Sequence, residues 1–104
     1  MFIAMNRFRV KRGAEVDFED VWLNREIHIA KENGFVAFHL LRGPEREDHT
    51  LYASHTIWAS EEDFIAWTKS QAFRDAQKDA GGNKPLYIGG PAFEGFSVVQ
   101  TVTR

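Results

Sequence analysis

The order of apolar and polar positions along the chain predicts six elements of secondary structure. Residues 2–10 alternate between the two classes, which is typical of a β-strand with one buried face. A helical pattern follows over residues 14–33, and we expect its inner side to carry the apolar residues Phe18, Val21, Trp22 and Ile29. Gly34 then supplies the left-handed cap at the end of this helix.

Two further strands are predicted over residues 35–42 and 50–58, and the polar loop between them indicates a hairpin. Ser60 precedes a second helix as its N-cap, with Asp63 three residues later in a capping-box arrangement. Ser70 marks a bend between two pieces of this helix. We expect its inner side to carry Phe64, Trp67, Phe73, Ala76, Gln77 and Ala80.

The segment 80–95 is rich in glycine and proline, which predicts a loop, and a candidate lid, held by the apolar anchor Leu86-Tyr87-Ile88. A last strand is expected over residues 96–102. The β-α-β-β-α-β order is that of a ferredoxin-like α+β fold, in which helices cover one face of an antiparallel sheet. Because the other face is also apolar, we expect a second copy of the chain to cover it in a homodimer.

Length and composition limit what the chain can be. Its 104 residues, of which 43% are hydrophobic, suffice for a single domain over 1–104 with its own core. The net charge is −2 and no basic stripe stands out, which argues against nucleic-acid binding. No apolar run is long enough for a membrane helix, and the absence of cysteine fits a reducing cytoplasm.

Taken singly, the residues suited to chemistry have ordinary structural explanations. His39 and His55 lie on neighbouring strands, where core or interface histidines with local hydrogen bonds are more common than a metal pair. Asn6 lies within a strand on its apolar face, so its amide needs hydrogen-bond partners, whether structural or functional. Trp67 by itself is a core aromatic.

Three stretches of the sequence, taken together, favour functional roles for Asn6 and Trp67 over these structural explanations. They are Ile3-Ala4-Met5-Asn6-Arg7-Phe8, the Gly34-Phe35 junction, and the run from Thr56 to Phe73 that holds Trp58, Ser60, Phe64, Trp67, Lys69 and Ser70. With them the chain resembles the IsdG-type haem-degrading monooxygenases of the antibiotic biosynthesis monooxygenase superfamily, over nearly its full length. The resemblance implies a dimeric α/β-barrel with a haem pocket between helices and sheet in each subunit.

The resemblance also implies catalytic roles for Asn6 and Trp67. Asn6 matches an asparagine whose side-chain amide donates a hydrogen bond beside the haem iron, where charge develops. Trp67 matches a tryptophan that presses on the porphyrin and buckles it, and such distortion is one way in which a protein tunes haem. The further candidates are Phe8, Phe64 and Phe73 as pocket walls, with Arg25, Lys78 and Lys84 as partners for the propionates.

One position departs from the pattern of that family. The histidine that coordinates iron there, ten residues after the tryptophan, is Gln77 in this chain. Glutamine is a poor iron ligand beside imidazole. The candidate substitutes are His28 on the first helix, His49 in the hairpin loop and Tyr87 in the glycine-rich segment.

Three functions remain open on the sequence. The first is a haem-degrading monooxygenase, with haem as substrate and cofactor, O₂, an external electron donor and a reductase as partner. The second is a cofactor-independent monooxygenase of the same superfamily that oxidises a small aromatic or quinol-like substrate. The third is a non-enzymatic haem-binding protein. Asn6 with Trp67 favours the first function, whereas the glutamine at position 77 favours the second.

Overall fold

The computed structural model describes residues 1–24, 28–71, 73–74 and 86–104, and at His28 the main chain alone. The predicted β-α-β-β-α-β order is confirmed, with one short 3₁₀ helix added after the first helix. In chain order the elements are β1 (Phe2–Lys11), α1 (Glu15–Leu23), the 3₁₀ helix (His28–Lys31), β2 (Phe35–Glu45), β3 (His49–Trp58), α2 (Glu61–Thr68) and β4 (Ala92–Ser97). Within these described ranges no helix is long and apolar enough to cross a bilayer.

The four strands form one antiparallel sheet in the order β2-β3-β1-β4. β1 lies inside the sheet, where it pairs with β3 along its whole length and with β4 over its first half. The register places Asn6 directly opposite Ser54 on β3 and opposite Phe93 on β4. β2 and β3 form the predicted hairpin, with irregularities near both ends of the pairing.

Alternation along the strands separates the two faces of the sheet. On β3, the even-numbered residues from 50 to 58 are buried, whereas the odd-numbered ones are only half-buried. The buried set faces the helices, because it contains Tyr52 and Trp58, which pack against residues of α1 and α2. One face is therefore covered by helices, as expected for this fold.

The core beneath the helices consists of two clusters that share no member among the described residues. The α1 cluster is formed by Phe8, Val10, Phe18 and Tyr52. The α2 cluster is formed by Phe2, Ala4 and Trp58, with Phe64 and Trp67 of α2 packed against it. Each helix thus covers one end of the sheet.

The prediction of one helix over residues 14–33 is wrong in its extent and in part of its inner side. α1 ends at Leu23, and the 3₁₀ helix is a separate element. Phe18 is 2% exposed as expected, but Val21 is 41% exposed. Instead of Val21, Glu15 and Glu19 face the sheet, where they accept hydrogen bonds from hydroxyl groups of β3. The prediction used the spacing of apolar residues alone and therefore missed this polar inner side.

The last strand was predicted over residues 96–102 and instead spans Ala92–Ser97. It pairs antiparallel with residues 2–7 of β1. The amide of Val98 donates a 2.9 Å hydrogen bond to the carbonyl of Met1. Residues 98–104 are not part of a strand, and Val99 and Val102 are exposed.

The predicted helix signals near α2 are confirmed. The Ser60 side chain accepts a 3.2 Å hydrogen bond from the amide of Asp63 and caps α2. α2 ends at Thr68, and the Ser70 hydroxyl oxygen accepts a 3.1 Å bond from the amide of Phe73, so Ser70 caps the helical residues that follow. Gly34 has a φ of 81°, the left-handed conformation predicted for it, although it follows the 3₁₀ helix rather than α1.

Candidate ligand-binding site between two aromatic clusters

A row of side chains crosses the helix-facing side of the sheet between the two clusters. Its members, one from each strand in sheet order, are Leu40, Ser54, Asn6 and Phe93. Asn6 lies two residues from Ala4 in the α2 cluster and two residues from Phe8 in the α1 cluster. The polar pair at the centre of the row thus separates two apolar groups.

The amide of Asn6 is the least explained polar group of this row. Asn6 is half-buried, and none of the side-chain hydrogen bonds within the described ranges involves it. Ser54, directly opposite, is 5% exposed. A half-buried amide without a protein partner is available to bind a ligand or water.

On the α2 side, Trp67 is the centre of an aromatic wall. Its ring centroid lies 5.5 Å from that of Trp58, 6.4 Å from Phe64 and 4.8 Å from Phe73. Phe93 stacks on Phe64 at 5.6 Å and 8°, although it remains 52% exposed. Trp67 is therefore held from several sides, which limits the rotation of its half-buried indole.

The indole N–H of Trp58 has an unusual place in the same wall. The residue is fully buried, and its Nε1 has no hydrogen-bond partner among the described residues. An unpaired buried donor costs free energy that packing must offset. Seven ring contacts of Trp58, Phe64 and Trp67 within the described residues hold this group in place.

On the α1 side, Trp22 stacks on Phe38 of β2 at 5.7 Å and 15°. Phe8 is buried below them and contacts Trp22 at 5.9 Å. Tyr87 packs edge-on against Phe8 at 5.2 Å, and its segment is bonded to β1 through the carbonyl of Leu86 and the amide of Ile88. The predicted apolar anchor of the glycine-rich segment is thereby confirmed, with Tyr87 in the α1 cluster.

The acids of α1 connect that helix to the sheet. Thr50 donates a 2.7 Å hydrogen bond to Glu15, and the hydroxyl of Tyr52 and the guanidinium of Arg42 both donate to Glu19. The Thr50 hydrogen bond lowers the pKa of Glu15, and the Tyr52 hydrogen bond, followed by that of Arg42, lowers the pKa of Glu19. Burial, together with the Glu19 carboxylate, raises the pKa of Tyr52. These groups hold α1 in place and are not members of the Asn6 row.

The predicted site residues divide into three groups. Trp67, Phe64 and Phe73 lie together on the α2 side, and Asn6 lies beside that group in the row. Phe8 and Tyr87 belong to the α1 cluster instead. Arg25, Gln77, Lys78 and Lys84, and the side chain of His28, lie outside the described residues.

Two residues of the row were not predicted from the sequence as site residues. Ser54 can be assigned to the row only from the register between β1 and β3, which places it opposite Asn6. Phe93 was hidden in a segment interpreted as a loop, although its position next to an alternating stretch was a signal for an earlier strand start. Across the described part of the chain, no three His, Cys, Asp or Glu side chains are grouped closely enough to hold a metal ion.

Comparison with known proteins places the chain in a family. The model of the antibiotic biosynthesis monooxygenase family matches residues 1–79. The chain belongs to this family. Among curated relatives, it is 35% identical over 85 residues to a staphylobilin-producing haem oxygenase of Staphylococcus haemolyticus, which covers 76% of this chain and 75% of that protein.

Solved structures of family members differ in what they act on. MhuD, a haem degrader of Mycobacterium tuberculosis solved with two haems in its active site, superposes with a TM-score of 0.76 at 27% identity, over 99% of this chain and 100% of that one. SnoaB, a cofactor-independent oxygenase of Streptomyces nogalater, superposes with a TM-score of 0.69 at 25% identity, over 96% and 94%. The expected family and the ferredoxin-like fold of the single chain are confirmed, and the family accommodates both chemistries.

Proposed function

We propose that the chain is a haem-degrading monooxygenase that opens the porphyrin ring and releases iron. The observation that carries the proposal is the amide of Asn6, without a protein partner in the described ranges, between two aromatic clusters and beside the wall around Trp67. A large flat apolar ligand suits aromatic walls, and a polar amide in the floor suits its reacting centre. The similarity to haem-degrading relatives supports the same function.

In this proposal, Asn6 and Trp67 have different roles. The amide N–H of Asn6 donates a hydrogen bond where negative charge develops at the ring centre, which stabilises the transition state. Trp67, braced by Trp58 and Phe73, presses on the ring and bends it toward the shape of the reacting state. Bound haem supplies the redox-active iron and the ring that is opened, with O₂ as oxidant and an external donor or reductase as the source of electrons.

The remaining binding groups of this proposal come from outside the described residues. Arg25 is the proposed partner of a propionate, with Lys78 and Lys84 as further cations. Gln77 takes the position of the family's iron ligand, so we propose that water, Gln77 itself or His28 completes the iron coordination. Phe64 and Phe73 bind the edge of the ring on the α2 side.

A homodimer belongs to the same proposal. The face of the sheet away from the helices carries apolar side chains on all four strands, including Ile3, Ala37, Ile57 and the 44% exposed Phe96. Such a surface is unusual on a monomer, and a second copy offers an identical sheet to cover it. Sedimentation velocity of the wild type and of Phe96→Glu tests this, since a dimer held through this face should dissociate in the variant.

A haemin titration of the purified chain, followed by ascorbate in air with catalase present, tests the function. A stoichiometric shift of the Soret band that bleaches after ascorbate is the expected result. A shift without bleaching would replace the proposal by a haem-binding protein without enzymatic activity. If no saturable shift appears, haem is not the ligand.

A cofactor-independent monooxygenase is the second candidate. It is favoured by the glutamine at position 77 and by the similarity to SnoaB. The same aromatic walls and the Asn6 amide would then bind a small quinol or hydroxylated aromatic. Oxygen uptake with a panel of such substrates, in haem-free protein treated with a metal chelator, separates this function from haem degradation.

A further inference from the structure

The geometry points to a positioning residue of the candidate site: Gly34 fixes where α2 lies against the sheet, and through α2 it fixes the position of Trp67. Gly34 directly precedes β2, and its main chain has the left-handed conformation, with a φ of 81°. A Cβ built on Gly34 would lie 2.6 Å from the Cβ of Asp63 and 2.3 Å from its Cγ. The first turn of α2 therefore occupies the space that a side chain at position 34 would need.

Rotation of the Asp63 side chain cannot relieve this contact. Turning about the Cα–Cβ bond moves the carboxylate but leaves the Cβ of Asp63 in place. At 2.6 Å, that atom is roughly 1 Å closer than carbon atoms approach in ordinary contact. Ser60 also holds the residue, because its hydroxyl donates a 3.0 Å hydrogen bond to the carboxylate and accepts a 3.2 Å one from the amide. A side chain at position 34 must therefore displace main chain, either that of α2 or its own.

The main chain at Gly34 is more firmly held than α2. The carbonyl of Gly34 accepts a 2.7 Å hydrogen bond from the amide of Ala59, directly after β3. The next residue, Phe35, pairs with Trp58 in the sheet, and their rings meet edge-on at 6.0 Å. α2 rests on the sheet through the packing of its aromatic side chains, and packed helices can slide by small amounts. We therefore expect α2 to move when position 34 carries a side chain.

This movement reaches Trp67 because Asp63 and Trp67 lie four residues apart, on the same side of α2. The ring of Trp67 lies 5.5 Å from that of Trp58 on the sheet, with the ring planes inclined by 35°. A shift of α2 by roughly 1 Å changes this arrangement, and misplacement on that scale can slow a reaction by about 10²-fold. The effect of Gly34 on turnover rests on the proposed function, in which Trp67 bends the ring, whereas its effect on the position of Trp67 does not.

Gly13 provides a matched control for the strain of the main chain. Its φ is 94°, so an alanine there adopts the left-handed conformation just as it would at position 34. A Cβ built on Gly13 would have no described neighbour within 4 Å. Comparison of the two positions therefore separates the strain of a left-handed alanine from the contact with Asp63.

The test is circular dichroism of the ligand-free chain, in which two neighbouring indoles give an exciton couplet. Trp67→Phe identifies the part of the couplet that comes from Trp58 and Trp67. Gly34→Ala should weaken the couplet toward the level of Trp67→Phe, whereas Gly13→Ala should keep the wild-type couplet. Gly34→Ala combined with Asp63→Gly should show the couplet of Asp63→Gly alone, because the blocking Cβ is gone. Gly34→Ala combined with Asp63→Ala keeps that atom and should not recover.

Four results would overturn the proposal: a spectrum that does not respond to Trp67→Phe, an unchanged couplet in Gly34→Ala, an equal loss in Gly13→Ala, or no recovery with Asp63→Gly. If Gly34→Ala by itself fails to fold, its combination with Asp63→Gly decides. That double variant must fold and show the couplet of Asp63→Gly, and its failure to fold would also overturn the proposal.

Haem turnover measures the functional consequence separately. Gly34→Ala should lower kcat for ring opening by about 10²-fold with little change in KM, because Trp67 is misplaced while the other walls of the pocket remain. An equal loss of kcat in Gly13→Ala, or a rise in KM alone, would contradict a role of Gly34 in turnover. If the wild-type chain does not degrade haem, the proposed function fails, and the couplet still decides whether Gly34 positions Trp67.

Discussion

Asn6 and Ser54 face each other across β1 and β3, at the one row of the helix-covered face that lies between the two aromatic clusters. Ser54 is buried, whereas Asn6 is half-buried and its amide has no protein partner in the described part of the chain. The hydrogen bonds between strands use only main-chain groups, so they leave a polar side chain inside a strand without a partner. Asn6 and Ser54 together form the floor of the candidate site, although they are 48 positions apart in the sequence.

Replacement of Asn6 by Ala tests the proposed role of the amide. We expect ring opening to slow by about 10²- to 10³-fold, as for loss of one donor to a developing charge, with little change in haem affinity. Single-turnover bleaching and a haemin titration measure the two quantities. Ser54→Ala is the control, since it keeps the amide, and an equal loss of rate in that variant would contradict a specific role for Asn6.

Replacement of Gln77 by His restores the residue that the haem-degrading relatives have at this position according to the resemblance. We expect tighter haemin binding and the ferric spectrum of a histidine-ligated haem, because imidazole is the stronger iron ligand. Absorbance and resonance Raman spectra measure the change. Gln71→His introduces a histidine at another glutamine of the same segment, and a matching spectral change there would show that position 77 is not special.

Substitutions of Phe18 and Val21 should differ strongly in their effect on stability, although both residues lie on α1. Phe18→Ala should lower the free energy of unfolding by about 3–5 kcal/mol, because it empties the centre of the α1 cluster. Val21→Ala should change it by less than about 0.5 kcal/mol, since that side chain is exposed. Urea denaturation measures both, with Phe18→Leu as a milder variant. A large loss in Val21→Ala would contradict the observed inner side of α1.

Stability should depend on pH through the contacts of α1 with β3. The pKa values of Glu15 and Glu19 are lowered from 4.5, so their contribution is present above about pH 4.5 and is lost as the pH falls through the lower folded values. The pKa of Tyr52 is raised from 10.0, so its contribution is present below that pH and is lost as the pH rises further. Melting temperatures across the pH range should form a plateau between these limits.

Tyr52→Phe isolates the hydrogen bond to Glu19 in that profile. It should lower the plateau, reduce the loss at acid pH and abolish the loss at alkaline pH that comes from this hydroxyl. Glu47→Gln, in the exposed hairpin loop, is the control and should leave the shape of the profile unchanged. An identical profile for Tyr52→Phe and the wild type would show that the α1 contact does not govern acid or alkaline unfolding.

Local chemistry explains which parts of the fold were predictable. Ser60 and Ser70 cap helical segments because a hydroxyl three residues before an amide can reach it, and that relation is contained in a few consecutive residues. The inner side of α1 was not predictable in this way. Glu15 and Glu19 occupy inner positions because Thr50 and Tyr52 of β3 donate hydrogen bonds to them. These partners lie more than thirty residues away in the sequence.

The sequence by itself determined the order of strands and helices, the caps, the family and the two residues, Asn6 and Trp67, on which the proposed function rests. Each of these depends on periodicity, on neighbours within a turn, or on a pattern of residues that a family shares. Tertiary structure alone decided that Ser54 and Phe93 join Asn6 in one row, that β4 begins at Ala92, and that His39 meets His55. Strand register sets these pairings, and register is a property of the assembled sheet because it depends on which distant strands bury their faces together.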